Sequence, residues 1–419
     1  MIKARNVAIL VLIISANCKL SSAEDLWPQT GSTTPISEDD YIGEVPRVLT
    51  VSRLSQSLAN APSAVTIIDS ETIRAAGIVD FPEIFRLVPG FYVGINAGYL
   101  HSTNYAVSYH DMTSAFSGAM QVLINGRSVY SPLYGGVQWS ELPITIADID
   151  HIEITRGPNA ASYGANSFFG VINIITQSPS ELAHNSVMAT YGNGRPEVFY
   201  RQSGKLDDLS YRVTTGYRDD DGLDNRYDFK RTRLLNAQVD YQVDASNIIE
   251  FELGLVNGER EEGNLDKDSI LFLPRTKKID NHYELVRWRH NISYDSNFSF
   301  QVYHSYDDSD DQTTSVNLRP YIRAFVLSQG GSTLQANAFA SSLLNDNVTV
   351  VNEVMSERTD IEAQHNFAIG NEIRMVWGGS IRQDTMYAPH YLGTEKTDYF
   401  NLQRLFGHVE WQAHDKVDF

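Results

Sequence analysis

The chain has 419 residues, with 33 Lys and Arg against 52 Asp and Glu and a single cysteine. That length supports two or three domains and a sizeable core, the acidic balance argues against a nucleic-acid partner, and one Cys excludes a disulfide framework or a cysteine-built zinc site. The longest apolar run, Val7 to Ile14, is too short to cross a bilayer as a helix, which excludes a helical membrane protein but not a membrane β-barrel, whose strands alternate.

Residues 1–23 read as an export signal: Lys3 and Arg5, then Val7–Ile14, then Ser21-Ser22-Ala23 ahead of a cleavage before Glu24. Cys18 falls inside this segment, so the exported chain is expected to carry no cysteine. Ile14-Ser15-Ala16-Asn17-Cys18 reads less well as a lipidation site, because Ser15 and Asn17 are poor neighbours for one. Residues 24–44, with Pro28, Gly31, Pro35 and Glu38-Asp39-Asp40, show no hydrophobic period and read as a flexible linker.

From about Arg53 to Ser178 the pattern is that of a compact mixed domain. Ala64–Ile68 is a β-branched strand; Asp69 can cap a helix through Ala76, which Gly77 stops. A second helix is expected from Asp80, with Pro82 in its first turn and Pro89-Gly90 ending it. Gln121–Ile124 runs into Asn125-Gly126, a type I′ hairpin signal, and Ile149–Thr155 and Val171–Ile175 are further strands.

After Pro179 the texture changes to period two. Tyr211, Val213, Thr215 and Tyr217 alternate with polar residues, as do Leu235–Val243, Ile249–Leu255, Val286–Tyr294, Phe298–Tyr306, Ile361–Ile369, Ile373–Ile381 and Leu405–Ala413. A soluble sandwich alternates too, so connection lengths decide. Short turns (Leu206–Asp208, Asp244–Asn247, Asp295–Asn297, Gly370–Glu372) take turns with long polar stretches near Asp219–Phe229, Asn257–Asn281, Asp307–Asn352 and Thr385–Asp398. Short periplasmic turns against long outer loops mark an up-and-down barrel in an outer membrane. Tyr217, Tyr241, Trp288, Tyr294, Phe298 and Trp411 sit where an aromatic girdle belongs.

Ordered blocks between Thr50 and Thr176 carry a resemblance. They are Ala61-Pro62-Ser63-Ala64-Val65-Thr66-Ile67-Ile68-Asp69, Leu87-Val88-Pro89-Gly90-Phe91 and Val122-Leu123-Ile124-Asn125-Gly126. The densest runs His151-Ile152-Glu153-Ile154-Thr155-Arg156-Gly157-Pro158, then Tyr163-Gly164-Ala165-Asn166, then Gly170-Val171-Ile172-Asn173-Ile174-Ile175-Thr176. This resembles the plug of TonB-dependent outer-membrane receptors. Three departures stand out: His151 where the family usually has Arg, Asn125 where it usually has Asp, and Tyr109-His110-Asp111 in place of R-G-F. Upstream, Val45-Pro46-Arg47-Val48-Leu49-Thr50-Val51 resembles the energy-coupling TonB box, a segment that could add a strand to a partner's sheet. The same residues also read as the plug's first strand, and Pro46 could not donate to a ladder.

The resemblance implies an α+β plug domain over residues 52–180, followed by antiparallel transmembrane β-barrel strands over residues 181–419. It implies export through the Sec pathway to the outer membrane and active import of a scarce ligand such as a ferric siderophore or cobalamin. The implied partners are the inner-membrane TonB complex, the ligand, and outer-membrane lipid and lipopolysaccharide, with no nucleic acid. A barrel of a non-transporting receptor or adhesin, and a nonfunctional remnant, are the alternatives. About ten strands can be counted up to His414, whereas plugged barrels of this kind use about 22. Lys416–Phe419 reads as the start of another strand, and the expectation is a truncated chain with an incomplete barrel.

No catalytic motif is present, and an enzyme is not expected. By the resemblance, Arg156, with Glu153 nearby, would pair with acids on the barrel wall and lock the plug; an ordinary solvated ion pair is the plainer reading. Pro89, Gly90, Gly126, Gly157, Pro158, Tyr163, Gly164, Gly170 and Asn173 serve plug geometry, the glycines for backbone freedom rather than phosphate binding. His101, Tyr105 and His110 fall in the segment where the family's apex meets ligand, although a lone His is more often structural. No cofactor is required. Asp219, Asp220, Asp221, Asp224 and Asp228 around Gly222 offer hard oxygen ligands for Ca²⁺, or form a hydrated acidic loop, and Asp307–Asp311 invites the same two readings.

Overall fold

The computed structural model describes residues 47–48, 50, 53–54, 56–57, 61, 63–95, 105–110, 118–164, 166–182, 185–192, 194–224, 226–263, 274–311, 314–342, 347–370, 372–414 and 417–418. The expected export signal and linker, and Val45, Pro46, Leu49, Val51 and His101, lie outside the described residues.

The first described elements are a short antiparallel pair, β1 (Arg47–Val48) and β2 (Gln56–Ser57). β3 (Ala64–Asp69) leads into α1 (Ser70–Ala75), whose first turn is capped by the Asp69 carboxylate accepting from the Thr72 amide at 2.6 Å. β4 (Phe91–Gly94) and β5 (Ala106–Tyr109) pair with each other. β6 (Met120–Ile124), β7 (Arg127–Ser128), β8 (Ile149–Arg156), the one-turn helix α2 (Ala160–Tyr163) and β9 (Gly170–Thr176) complete the domain. Its sheet runs β3-β8-β9-β6-β7, with β6 parallel to β9 and the other neighbours antiparallel. Asn125 and Gly126 both take positive φ, 50° and 83°, as a type I′ turn between β6 and β7 demands.

The second helix expected from Asp80 is instead a 3-10 helix, Phe81–Leu87. Asp80 makes no capping bond, because its carboxylate is drawn away to Arg195 and Tyr105, and the prolines at 82 and 89 leave too little chain for α-helical turns. The helix still serves the core: Phe81, Ile84 and Phe85 pack with Trp139, Ile152, Ile154, Ile172 and Ile174 in one buried cluster.

The remaining strands form one meander: β10 (Ser186–Thr190), β11 (Glu197–Leu206), β12 (Leu209–Asp220), β13 (Lys230–Asp244), β14 (Asn247–Glu262), β15 (Arg275–Ser293) and β16 (Ser296–Asp310). The connection from β16 carries a hairpin of β17 (Thr314–Asn317) and β18 (Asn347–Val350), with helices α3 (Arg319–Ser328) and α4 (Thr333–Ser341) between them. β19 (Val354–Ile369) then pairs with β16, followed by β20 (Ile373–Tyr387), the single turn α5 (Pro389–Leu392), β21 (Asp398–His414) and β22 (Val417–Asp418). Among the described residues β10 pairs with β11 alone, so the sheet curves without closing.

Burial inverts the rule of soluble proteins. On β14, Ile249 and Leu255 are 40% and 41% exposed, whereas Glu252 between them is 3% exposed. Arg212 on β12, Arg287 on β15 and Arg358 on β19 are likewise buried, facing the plug, while Trp288, Ile361 and Trp377 face outward. Charge inside and apolar residues outside is the signature of strands bathed in lipid around a polar lumen. Leu255→Arg is therefore expected to cost about 2–4 kcal/mol for refolding into lipid vesicles. On a soluble sandwich so exposed a site would shift stability by less than about 0.5 kcal/mol, and a denaturant titration separates the two.

The strands outrun the sequence pattern. The long connection expected over Asn257–Asn281 shrinks to residues 263–274, because β14 and β15 stay in register as far as Glu262↔Arg275. β15, of 19 residues, is roughly 60 Å long, more than a tilted strand needs to cross an apolar band about 25 Å tall. Beyond that band both faces are polar, so alternation fades while the backbone ladder continues.

Candidate functional site

The end of the candidate TonB box, at Thr50, and the residues just after it are pinned to both the plug and the barrel wall. Thr50 is fully buried. Its amide donates to Glu153 Oε2 at 2.7 Å and its hydroxyl donates to the same oxygen. Asn173 Nδ2 donates to the Thr50 hydroxyl at 3.2 Å, and Asn159 Nδ2 donates to the Thr50 carbonyl at 3.3 Å. Thus β8, β9 and the loop between them hold one threonine by its amide, hydroxyl and carbonyl. The site is local in geometry, since Glu153 and Asn173 face each other across the β8–β9 ladder.

Three residues on, Arg53 reaches the wall. Its Nη1 donates to Glu362 Oε1 at 2.7 Å and to Gln364 Oε1 at 3.0 Å. The guanidinium lies 4.7 Å from the Tyr163 ring centre and 4.0 Å from that of Phe406, a double cation–π contact. Arg404 donates to the other Glu362 oxygen and to the Tyr163 carbonyl at 3.0 Å, so α2 of the plug, β19, β21 and the N-terminal segment meet at one carboxylate. Leu54 packs behind it on Val376 and Phe406. Beside this cluster, at the short-turn ends of the strands, a polar cavity of about 1050 Å³ separates plug from wall, lined among others by Arg53, Asn125, Asn173, Asp240, Glu252 and Arg287.

Further contacts seat the plug. Asp148 accepts from the Thr214 hydroxyl at 2.7 Å, Arg212 donates to the Gln177 carbonyl at 2.7 Å, Arg260 pairs with Glu141 at 2.5 Å, and Arg358 donates to the Tyr130 carbonyl at 2.8 Å. None of these partners was singled out from the sequence. Alternation assigns Arg212, Arg358 and Glu362 to the inner face, but nothing local says which plug atom each one meets.

The lock expected at Arg156 is not seen among the described residues. Arg156 makes no ion pair among them, and its Nε is buried without a hydrogen bond. It sits at the end of β8, lining a cleft of about 400 Å³ with His110, Tyr109, Pro158 and Phe168. Glu153, grouped with it by sequence, is turned instead to Thr50 and to His151, whose Nε2 lies 3.4 Å away. Among the described residues it is Arg53 that pairs with an acid of the wall.

The residues expected at the ligand end divide. Tyr105 is buried, donates its hydroxyl to Asp80 and has the Lys230 ammonium 4.8 Å from its ring centre, so it is a docking residue rather than an open contact. Burial, with Asp80 beside it, raises the Tyr105 pKa. Burial alone would raise the Asp80 carboxyl, but Arg195 at 2.7 Å and the Tyr105 hydroxyl hold it below its ordinary value. His110 is exposed, with φ of 55° and its ring against Tyr109.

The acidic loop carboxylates have separate partners. Asp219 accepts from Tyr217 and Arg231, Asp220 accepts from the Gly222 amide and lies near Arg195 and Lys230, and Asp228 accepts from the Leu223 amide. Among the described residues no three acids or histidines converge as a metal cage would require.

Of the glycines and prolines assigned to plug geometry, Gly90, Gly126, Gly157, Gly164 and Gly170 all take positive φ. Tyr163 is the exception in kind: its ring and carbonyl both serve the Arg53 cluster.

Residues 57–171 match the family described as TonB-dependent Receptor Plug Domain. The chain is 22% identical over 388 residues to the iron-regulated outer membrane virulence protein of Vibrio cholerae, covering 86% of this chain and 58% of that protein. It is 31% identical over 160 residues to the vitamin B12 transporter BtuB of Photobacterium profundum, covering 38% of this chain and 24% of that one. Among solved structures, the siderophore receptor PirA from Pseudomonas aeruginosa superposes with a TM-score of 0.57 at 17% identity, covering 85% of this chain and 56% of PirA. The FpvAI–pyocin S2 complex gives 0.63 at 12% identity, covering 89% and 51%. The chain thus spans little more than half the length of the longest-matching relatives, and the low identities of the structural matches speak for the fold.

Proposed function

Because the chain belongs to the TonB-dependent receptors of the outer membrane, we propose that it works in an active importer whose plug yields when the segment ending at Thr50 is pulled from the periplasm. The observation that carries this reading is the grip on Thr50. One residue is tied to two neighbouring strands of the plug sheet, and Arg53, three residues further along the chain, to the wall. A force along the segment would load the β8–β9 ladder directly. The cavity of about 1050 Å³ gives the plug room to shift without first breaking a packed core.

β1 is paired with β2 in the resting chain, so strand addition to a periplasmic partner requires this pair to open first. The partner proposed is the TonB complex, and the cargo a scarce metal chelate or vitamin of the ferric siderophore or cobalamin class.

Deleting Val45–Val51 tests the proposal, with binding and uptake of labelled ferric siderophores and cobalamin measured in a strain expressing the protein. Retained binding with uptake reduced to background is the expected result. Unchanged uptake would overturn the coupling role, and binding without uptake in the parent would point to a non-transporting receptor.

A further inference from the structure

His151 stands between two carboxylates on β8. Its Nδ1 lies 2.6 Å from Asp150 Oδ2 and its Nε2 lies 3.4 Å from Glu153 Oε1. Ionised carboxylates only accept, so both contacts are hydrogen bonds only when both ring nitrogens carry protons. A neutral imidazole would turn one lone pair toward an anionic oxygen. Glu153 in turn presents its other oxygen, Oε2, to the amide and hydroxyl of Thr50.

We propose that His151, as an imidazolium, is a positioning residue of the Thr50 latch, so that the hold on the N-terminal segment tightens with protonation and loosens as the ring loses its proton. The proposal rests on the reading that this segment is the one released. The ring's surroundings agree with it. Asp69 on β3 stands opposite His151 in register, and its carboxyl is held below its ordinary value chiefly by its hydrogen bonds at Thr72, with the His151 charge adding a smaller share. Ile175 faces it from β9 and is apolar. The neighbouring α1 carries Glu71 and Arg74, both exposed and joined to His151 by no hydrogen bond or ion pair. Three carboxylates therefore surround the ring.

Burial by itself would lower the His151 pKa, but Glu153 and Asp150 outweigh it and raise it above 6.5. For a raised pKa the contribution is complete below about 6.5, the unfolded value, and is lost as pH rises through the higher folded value.

The test is the rate at which a Val48→Cys thiol is labelled in outer-membrane preparations, in a Cys18→Ser background, from pH 5.5 to 8.5. Val48 is buried beside the latch, so labelling reports opening. His151→Arg keeps the cation and removes its titration; the pH profile of that variant contains only the probe thiol's own ionisation. The expected result is a rate ratio, parent over His151→Arg, that rises about fivefold across the range, the gap between a charge-assisted and a neutral hydrogen bond. His151→Gln should label fast at every pH. A flat ratio overturns the proposal, as does a His151→Gln profile that still follows the parent. His151→Asn, with heat-modifiable gel mobility as the folding check, replaces His151→Gln if that variant does not assemble. The readout needs no transport: loss of uptake control with the labelling profile intact would refute the importer and leave the latch standing.

Discussion

Glu362→Ala is expected to destabilise the docking of the N-terminal segment by up to about 3 kcal/mol, because it strips the shared anion from the buried Arg53 and the partly buried Arg404. Arg53 and Arg404 each bond one oxygen of Glu362 and converge on the same place. Without the carboxylate they repel each other against Tyr163, Phe406 and Leu54. Arg404→Ala should cost less, about 1–2 kcal/mol, since Arg53 still neutralises Glu362. Arg53→Ala lies between the two, because it also forfeits two aromatic contacts. The signature is non-additivity: combining Glu362→Ala with Arg53→Ala should cost less than the sum by more than about 1 kcal/mol. Denaturant unfolding of the detergent-solubilised protein, read with the Val48→Cys labelling rate, measures the cycle. Additive costs within about 0.5 kcal/mol would mean that the cluster is a solvated contact and not a clasp.

That clasp also marks where reading the sequence stops. Period-two alternation places Glu362 on the inner face, between Ile361 and Ala363, and does so without any tertiary information. It does not say that the inner-face charge meets Arg53, which lies 309 residues earlier. The distance is closed by the wrapping of the strands around the plug, a global property of register and tilt.

Within the plug, local signals carried further. Asn125-Gly126 specified its turn, and Asp69 its cap, because both effects act over three or four residues. Arg156 shows the limit of such signals: a charge in a well-matched block was given the wall as partner, and among the described residues it ends β8 with its Nε buried and without a hydrogen bond. His110 and Tyr105 looked equivalent as polar ring residues in one variable segment. Only the fold separates them, burying Tyr105 under Lys230 and leaving His110 exposed.

Gly170→Ala is expected to disrupt the plug by at least about 3 kcal/mol, well above the ordinary cost of a side chain at positive φ. Gly170 has φ of 150°, and a Cβ built on it would sit 2.0 Å from the Thr155 carbonyl oxygen and 3.1 Å from the carbonyl carbon. Both atoms belong to backbone, so no rotamer change relieves the overlap. The position is central: Gly170 opposes Arg156 on β8 and Met120 on β6, and parting either ladder loosens the sheet that holds Thr50. Gly77→Ala is the matched control. It has φ of 67° with nothing within 4 Å of the added carbon, and should cost only the left-handed penalty of about 1–2 kcal/mol. If the plug sheet is what restrains the N-terminal segment, Gly170→Ala should speed Val48→Cys labelling at all pH values and erase the difference between His151 and His151→Arg. Gly77→Ala should leave both unchanged. Equal denaturation midpoints for the two glycine variants would show that the β8–β9 approach is not as close as the ladder requires, and that the grip on Thr50 does not depend on it.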